Sequence, residues 1–508
     1  MTKLNVAVEV SLEQASALYD MADPDLRLFQ SEGFAPDLAY KIDLDDVIPS
    51  LGDEQVSLIR GVVDNHPEAL QHLRRLPGVR KIYADPVIRP CASFSHMADT
   101  EIDHGFGTFG TIQELLYCFR RKPTRASATL WGRNLTGTGV VVAMLDTGVN
   151  TAYLQNLPTN HPITHQGYRL GAPALHKWGR PFVEGYGRPT LEITPGAAPN
   201  DHGTMMAFDV TMVAPEVYLL DIPILPTFSG PRPPDVSTPY FYPTLLTNAF
   251  AAYKNLLAFV KAHCPPHSLV VNNSWGVDPY EQGEPWEKEF LEPYADNPNH
   301  CFNLVVDRLA TVVDVIFAAG NCGGGYSQGT VSSCQGRVGP NTIYGAHSLR
   351  RVLTVGAVQK DGLRMGYSSE GPGSLYLAKP DICTYTNFFG SRLNLDARDP
   401  ARYGQFEANA VDFGTSAACA VTTGVVAALR TRYPTHHLLP HVLHQIIRET
   451  ALKPAAKRGS KRQEGIYDPH LGHGIINVLG ILKRLDDLVE SGLLKPLAQT
   501  HQPGSFSG

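Results

Sequence analysis

The sequence predicts an α/β protein, a doubly wound and mostly parallel sheet with helices on both faces, preceded by a small α/β unit. Three observations carry this. Short apolar runs, mostly β-branched, recur from residue 131 onward, as expected of parallel strands buried on both faces. Helix-compatible segments separate them, which is the alternation of doubly wound folds. The first 90 residues follow a different pattern, alternating apolar and polar.

In this first stretch Leu4–Val10 alternates and suits a strand. Ser11–Met21 suits a helix, with Ser11 as cap and Glu13 in the first turn. Asp37–Leu44 reads as a second strand. Asp53–Leu76 carries helical periodicity, interrupted near Pro67. Val79–Ile88 reads as a further strand, opened by the Pro77-Gly78 turn signal. A small sheet with helices on one face, ferredoxin-like in kind, fits this order.

Residues 91–130 lack a sustained pattern, contain several glycines and the basic run Arg120-Arg121-Lys122, and read as an exposed linker. From 131 to 490 the predicted strands are Val140–Leu145, Val217–Ile222, Leu269–Asn272, Val313–Ala318 and Val352–Val358. Predicted helices are Thr247–Ala262 and His300–Val312. The Pro-rich stretch Pro223–Pro243 reads as a surface loop. The tail, 491–508, is expected to be disordered, most clearly from Gln499.

A chain of 508 residues is too long for one compact core and predicts two domains plus linkers. Lys plus Arg number 43 against 49 Asp plus Glu, a formal charge of -6, which gives no reason to expect nucleic acid or an anionic membrane as partner. The apolar runs are too short to span a bilayer. The N-terminus lacks the long apolar stretch of a secretory signal, so the reading is a cytoplasmic protein. Eight cysteines without a CxxC pair predict neither a disulfide framework nor a structural zinc site. Cys322 and Cys334 flank a Gly-rich loop and would pair in an oxidising compartment; free thiols are the reading for a reducing cytosol.

Four strand-end or helix-start segments could do chemistry. In VVVAMLDTGV, Asp146 ends a buried strand at the carboxyl edge of the sheet, where sites in open α/β folds gather. In NDHGTMMAFDV, His202 precedes helix-compatible residues. In VIFAAGNCGGG, Asn321 follows a strand, and its amide could donate to a developing oxyanion. In DFGTSAACAVTTGVVAAL, Ser416 opens an apolar helix, near its positive end. Singly, these are also a turn former, a structural histidine, a turn Asn and a helix cap. Together they supply what an unactivated serine needs: a base near neutral pH, and a carboxylate to hold that base in its tautomer.

With these pieces the chain resembles the subtilisin-like serine protease family from about Trp131 to Leu485. The matching residues are Asp146-Thr147-Gly148, His202-Gly203-Thr204, Asn273-Ser274-Trp275-Gly276, Ala318-Ala319-Gly320-Asn321 and Gly414-Thr415-Ser416-Ala417-Ala418. Tyr367–Gly371, Lys379–Ile382 and Gly472–Gly474 also match recurring segments. The resemblance implies Ser416 as nucleophile, His202 as general base and acid, Asp146 as its orienting partner, and Asn321 with the Ser416 N–H as oxyanion donors. It implies that Ser274, Trp275, Gly276, Ala318, Ala319 and Gly320 line a cleft where an extended peptide adds as a strand. Trp275 is equally well read as a packing residue. No cofactor is implied.

Three residues or lengths depart from the family pattern. Ala420 stands where the family usually has Pro, which should alter helix geometry more than chemistry. Ten residues, Met205 to Ala214, separate the histidine motif from Pro215, so the longer calcium-binding loop of secreted members has no room and no metal is expected there. Phe208 replaces a small Gly. Residues 1–90 resemble, in shape and placement, the inhibitory pro-segment of this family, with VRKIYADPVIRP as the strand leading into the active site; a permanently attached domain is the alternative. The expected function is a serine endopeptidase acting on peptides or proteins, with cytoplasmic processing of a peptide precursor as one form of it. An inactive relative serving as a peptide-binding or scaffold module is the competing class.

Overall fold

The computed structural model describes residues 3–11, 33–43, 56–90, 112, 116, 129–155, 174–176, 196, 198, 201–225, 244–264, 267–277, 286–324, 334, 337–391, 393–394, 401–402, 404–406, 411–453 and 467–497. The predicted helix at Ser11–Met21, nearly all of the 91–130 segment, most of the Pro-rich stretch and the end of the tail lie outside these residues.

The front unit is a four-stranded antiparallel sheet of β1 (Lys3–Ser11), β2 (Phe34–Asp43), β3 (Val56–Asp64) and β4 (Val79–Ala84), in the order β2-β3-β1-β4. Helix α1 (Pro67–Arg75) lies between β3 and β4 in the chain. His66 caps it, its ring nitrogen accepting from the Ala69 N–H at 3.2 Å, and Pro67 sits in the first turn, where no backbone donor is needed. The helix expected over Asp53–Leu76 is therefore half strand. Val56–Asp64 pairs with β1 and β2 at once, and burying its β-branched side chains in a central strand outweighs the helical spacing.

The strand expected at Val79–Ile88 divides at Asp85-Pro86. The second piece, β5 (Val87–Pro90), leaves the front sheet and joins the main unit. Pro86 has no N–H for a ladder, and its carbonyl accepts from the Leu246 N–H at 2.9 Å.

The main unit is built on seven parallel strands: β6 (Val140–Asp146), β7 (Ala174–His176), β8 (Tyr218–Pro223), β10 (Ser268–Asn273), β12 (Asp314–Ala318), β13 (Leu353–Val358) and β14 (Ile382–Tyr385). Their order is β14-β13-β12-β10-β6-β8-β7, and every pairing is parallel. On one face lie α2 (His202–Val213), α5 (Gly414–Arg430), α6 (Pro440–Thr450) and α7 (Val478–Glu490), whose buried residues share one cluster with that face of the sheet. On the other lie α3 (Leu246–His263) and α4 (Cys301–Leu309). Two short strands, β9 (Thr244–Leu245) and β11 (Trp275–Val277), stand beside the sheet, and β15 (Phe388–Phe389) pairs with β16 (Val411–Asp412) just before α5.

Small residues along α5 let it run fully buried through the middle of the protein. A Cβ on Gly424 would lie 2.7 Å from Val213 Cβ, so the helix needs glycine to approach α2. Ala420 sits within the unbroken helix. Phe208 is fully buried in the same cluster and fills core space.

Several boundaries differ from expectation. Ile112 and Leu116, in the presumed linker, are buried in the main core. Ile224 and Leu225 are buried, so the Pro-rich surface stretch begins no earlier than residue 226. Helix α4 ends at Leu309, and His300 is its cap. Residues 491–497, expected in a disordered tail, pack on the main unit: Leu494 is buried and the Leu497 N–H donates to the Arg432 carbonyl at 2.8 Å.

The front unit docks on α3 and α4. Ala7, Val56, Leu58, Tyr83 and Ile88 join one apolar cluster with Phe250, Tyr253 and Phe302. Burying Ile88 alone contributes about 2 kcal/mol. Asp85 caps α3, taking the Thr247 N–H at 2.9 Å and its hydroxyl at 2.8 Å. Arg60 donates to Asn248 Oδ1 at 2.8 Å, and His300 Nε2 bonds the Ala84 carbonyl at 2.9 Å.

Candidate active site

Asp146 ends β6 and His202 opens α2, so the sheet's carboxyl edge and a helix start meet at one point. His202 Nδ1 lies 2.7 Å from Asp146 Oδ1, with both side chains buried. The turns that hold them interlock. Asp146 Oδ1 also accepts the Thr147 N–H at 2.7 Å, and Thr147 Oγ1 accepts the Gly203 N–H at 2.8 Å. A Cβ on Gly203 would sit 2.4 Å from the Gly148 carbonyl oxygen, so the approach needs glycine. Burial alone would lower the His202 pKa. The charge and hydrogen bond of Asp146, with the charges of Asp201 and Asp412, outweigh it and hold the imidazole above its ordinary value.

Ser416 lies at the start of α5 and is fully buried. Its Oγ donates to the Ser274 carbonyl at 3.1 Å, and Ser274 Oγ donates back to the Ser416 carbonyl at 3.2 Å. Among the described residues His202 Nε2 has no hydrogen-bond partner, so the serine hydroxyl rests on Ser274 rather than on the imidazole. A change of χ1 rotamer is the motion that would release it.

Asn321 follows β12. Its Oδ1 accepts both the Thr415 N–H, at 3.0 Å, and the Thr415 hydroxyl, at 2.8 Å. That commits the amide oxygen and leaves the NH2 as the donating end. Gly320, with φ of 103°, brings Asn321 into place.

A cleft lies beside Asn321, lined by Gly276, Ala319, Gly320 and Asn321, and closed by Tyr294, Thr342, Tyr344, His347 and Ser369. Arg89 and Pro90 of the front unit also line it. Of the six residues expected there, Gly276, Ala319 and Gly320 reach the cleft and three do not. Ala318 is buried within β12, and Ser274 turns inward to Ser416. Trp275 is a packing residue: fully buried, in ring contact with Phe302, Phe317 and His347, with Nε1 donating to Asn273 Oδ1 at 3.2 Å. Strand alternation sends its side chain to the core and leaves its backbone on the border toward β5.

That border is occupied. β5 runs antiparallel between β11 and β9, with Pro90 opposite Trp275, Arg89 opposite Gly276 and Ile88 opposite Val277. One further rung of this register leads to Ser274, whose carbonyl holds the Ser416 hydroxyl.

Sequence reasoning passed over three supporting residues. Thr147 and Thr415 stood inside the motifs, but nothing in the sequence marks them as the clamps of Gly203 and Asn321. Asp221 betrays itself as the one acid in an otherwise apolar strand. Its Oδ2 accepts the N–H groups of Val149, at 3.1 Å, and Gly196, at 2.8 Å, and burial pushes its pKa to about 7. The cysteine reading also changes: Cys322 and Cys334 form a disulfide next to Asn321, while Cys264, Cys301, Cys383 and Cys419 are free. The Cα atoms of the two residues lie 5.7 Å apart, within bonding range, which sequence spacing alone does not reveal.

A buried Asp–His pair, a serine at a helix start and a clamped Asn beside a strand-lined cleft are the parts of a nucleophilic acyl-transfer site. The sequence profile of the subtilase family matches residues 137–474, and the chain belongs to that family of subtilisin-like serine proteases. Among solved structures, it is similar to fervidolysin from Fervidobacterium pennivorans, a keratinolytic enzyme related to subtilisin, with a TM-score of 0.50 and 15% identity. That likeness covers 95% of this chain and 61% of fervidolysin, and it shows the shared fold. Comparison with curated proteins gives no match.

Proposed function

We propose that the protein is a serine endopeptidase that cleaves peptide bonds through an acyl-enzyme intermediate. The observation that carries this reading is the buried 2.7 Å contact between Asp146 and His202, set beside Ser416 and the clamped Asn321. Ser416 attacks the scissile carbonyl, His202 takes its proton and later returns it to the leaving amine, and Asp146 holds the Nδ1–H tautomer. The Asn321 amide and the Ser416 N–H take the oxyanion. A substrate adds as a strand between β9 and β11, where β5 lies in the uncut chain.

The same reading makes residues 1–90 an inhibitory front unit. It rests on β5, which fills the substrate's place and points toward Ser416. Intact-mass measurement under denaturing conditions tests both parts. Wild type should lose an N-terminal fragment ending between residues 90 and 130, while Ser416→Ala stays whole. Cleavage of Ser416→Ala at the same place and rate would remove the reading.

Asn321→Ala should lower kcat by about 100- to 1000-fold with KM little changed, because an oxyanion donor acts only in the transition state. Steady-state hydrolysis of a casein-derived peptide measures this. An unchanged kcat would take Asn321 out of the site.

The reading of a cytoplasmic precursor-processing enzyme loses support from the Cys322–Cys334 bond, since such bonds persist in oxidising compartments. Exported or compartmentalised proteolysis fits it better, and the substrate class stays peptide or protein.

A further inference from the structure

The Cys322–Cys334 bond crosses between two arms of the cleft. Cys322 directly follows Asn321 and lines the cleft, half-buried. Cys334 is fully buried, at the head of the segment that leads to the wall residues Thr342 and Tyr344. The Asn321 arm is pinned without the bond. Thr415 clamps the Asn321 side chain, the Cys322 N–H donates to Ser369 Oγ at 3.0 Å, the Gly323 N–H to the Tyr367 carbonyl at 2.8 Å, and the Gly324 N–H to Glu370 Oε1 at 2.9 Å. The opposing arm leans on this one. Cys334 Sγ lies 3.6 Å from the Asn321 carbonyl oxygen, the Arg337 N–H turns back to the Cys334 carbonyl at 2.8 Å, and the Gly339 N–H reaches the Cys322 carbonyl at 2.9 Å. The Gly339 carbonyl in turn accepts from Thr342 Oγ1 at 2.9 Å, and a Cβ on Gly324 would fall 3.2 Å from the Gly339 Cα. Thr342 is thus held on two sides, by Glu370, whose carbonyl takes its N–H at 3.0 Å, and by the loop anchored at Cys334.

We propose that the Cys322–Cys334 disulfide is a redox-sensitive clamp on the cleft wall. Oxidised, it holds Gly339 and Thr342 against the Asn321 arm and fixes the shape of the cleft; reduced, it releases that wall while the oxyanion donor stays in place. The two cysteines are positioning residues, acting through Gly339 and Thr342. A cross-link between residues 12 apart in sequence limits the conformations of the loop it closes. The cleft lies beside the amide that takes the oxyanion, so the substrate side chain it receives belongs to the residue carrying the scissile carbonyl. The reductant is a dithiol. Its thiolate attacks Cys322 Sγ, the half-buried sulfur; the S–S bond breaks and Cys334 leaves as a thiolate. The second thiolate of the dithiol then attacks its own mixed-disulfide sulfur and expels the Cys322 thiolate. Two electrons pass to the protein, the two protons that the dithiol loses end on the two cysteines, and the dithiol becomes a disulfide.

Only the effect on substrate rests on the proposed catalytic reading, so the test has two arms. The first needs no activity: hydrogen–deuterium exchange of Ser416→Ala, read by mass spectrometry before and after dithiothreitol, with peptide mapping to place two new alkylated thiols on Cys322 and Cys334. Amide exchange across residues 337–344 should quicken by about ten-fold, while Gly323 and Thr415 keep their rates. Ser416→Ala carrying Cys322→Ser and Cys334→Ser should match the reduced protein and ignore dithiothreitol. Equal exchange in the oxidised and reduced proteins overturns the clamp. So does a quickening that spreads to Gly323 and Thr415, since the bond would then only hold the fold together. A bond that resists dithiothreitol in the folded protein overturns its redox sensitivity.

The second arm compares peptides that differ only in the residue before the scissile bond, Phe against Ala, with active sites counted by a fluorophosphonate. Reduction should raise KM for the Phe peptide by about ten-fold, leave kcat within about two-fold, and bring the Phe and Ala values of kcat/KM closer together. A fall in kcat with KM unmoved would overturn the clamp, because the bond would then act through Asn321. A loss of countable sites with both constants unmoved would overturn it as simple unfolding. Failure of oxidised wild type to be labelled at all would instead count against the catalytic reading and leave the first arm standing.

Discussion

Replacing His202 by alanine is expected to lower kcat for casein hydrolysis by about a million-fold. Among the described residues the imidazole is the base in contact with Asp146, and Ser416 Oγ otherwise meets the Ser274 carbonyl, an acceptor that cannot take its proton. Without a base the serine hydroxyl stays a weak nucleophile. Removing Ser416 as well should cost little more, because the two residues act as a unit. Burial makes the substitution a cavity change too, so circular dichroism and the melting temperature must stay near wild type for the result to count. A loss under a hundred-fold in a folded variant would mean that another group serves as base.

Asp146→Asn should reduce kcat by about ten-thousand-fold while leaving the fold in place. Asp146 Oδ1 accepts from the Thr147 N–H as well as facing His202 Nδ1. An amide whose NH2 takes the Oδ1 position presents a donor to the imidazole and disfavours the ring tautomer with a free lone pair on Nε2, while one that keeps its oxygen there holds the tautomer without the charge that stabilises the imidazolium. The charge of Asp146 is also what offsets the burial of His202, so its loss should lower the histidine pKa and shift the acid limb of the pH–rate profile downward. A rate profile against pH for wild type and Asp146→Asn checks both. An unchanged acid limb would mean that Asp201 and Asp412 carry the effect.

The parts of this protein that were legible in the sequence are those with a local signature. Val140–Leu145 reads as a buried parallel strand because all six residues are apolar, and the ladder bears it out, running one residue further to Asp146. Motif residues could be assigned to strand ends and helix starts for the same reason. Val56–Asp64 was not legible: its spacing suits a helix, and only pairing with β1 and β2 decides for a strand. Trp275 depended on which face of a three-residue strand met the core, and so on tertiary contacts with Phe302 and Phe317. The cleft walls at Thr342 and Tyr344 come from loops with no pattern of their own, and Ser369 stood in the matching segment Tyr367–Gly371, where nothing local marked it as a wall.

On the inhibitory role proposed for the front unit, the placement of β5 has a consequence for how a peptide gains entry. A strand covalently joined to the unit it fills behaves as an intramolecular ligand, with an effective concentration in the millimolar range for short flexible connections. A free peptide of micromolar affinity at micromolar concentration is then outcompeted by roughly a thousand to one. Cutting the connection changes no contact in the groove. It converts that fixed local concentration into a bulk one, so occupancy begins to depend on dilution and on degradation of the released piece. Turnover of other peptides should therefore lag behind the cut itself, by a time set by how slowly the Ile88, Asp85 and Arg60 contacts let go.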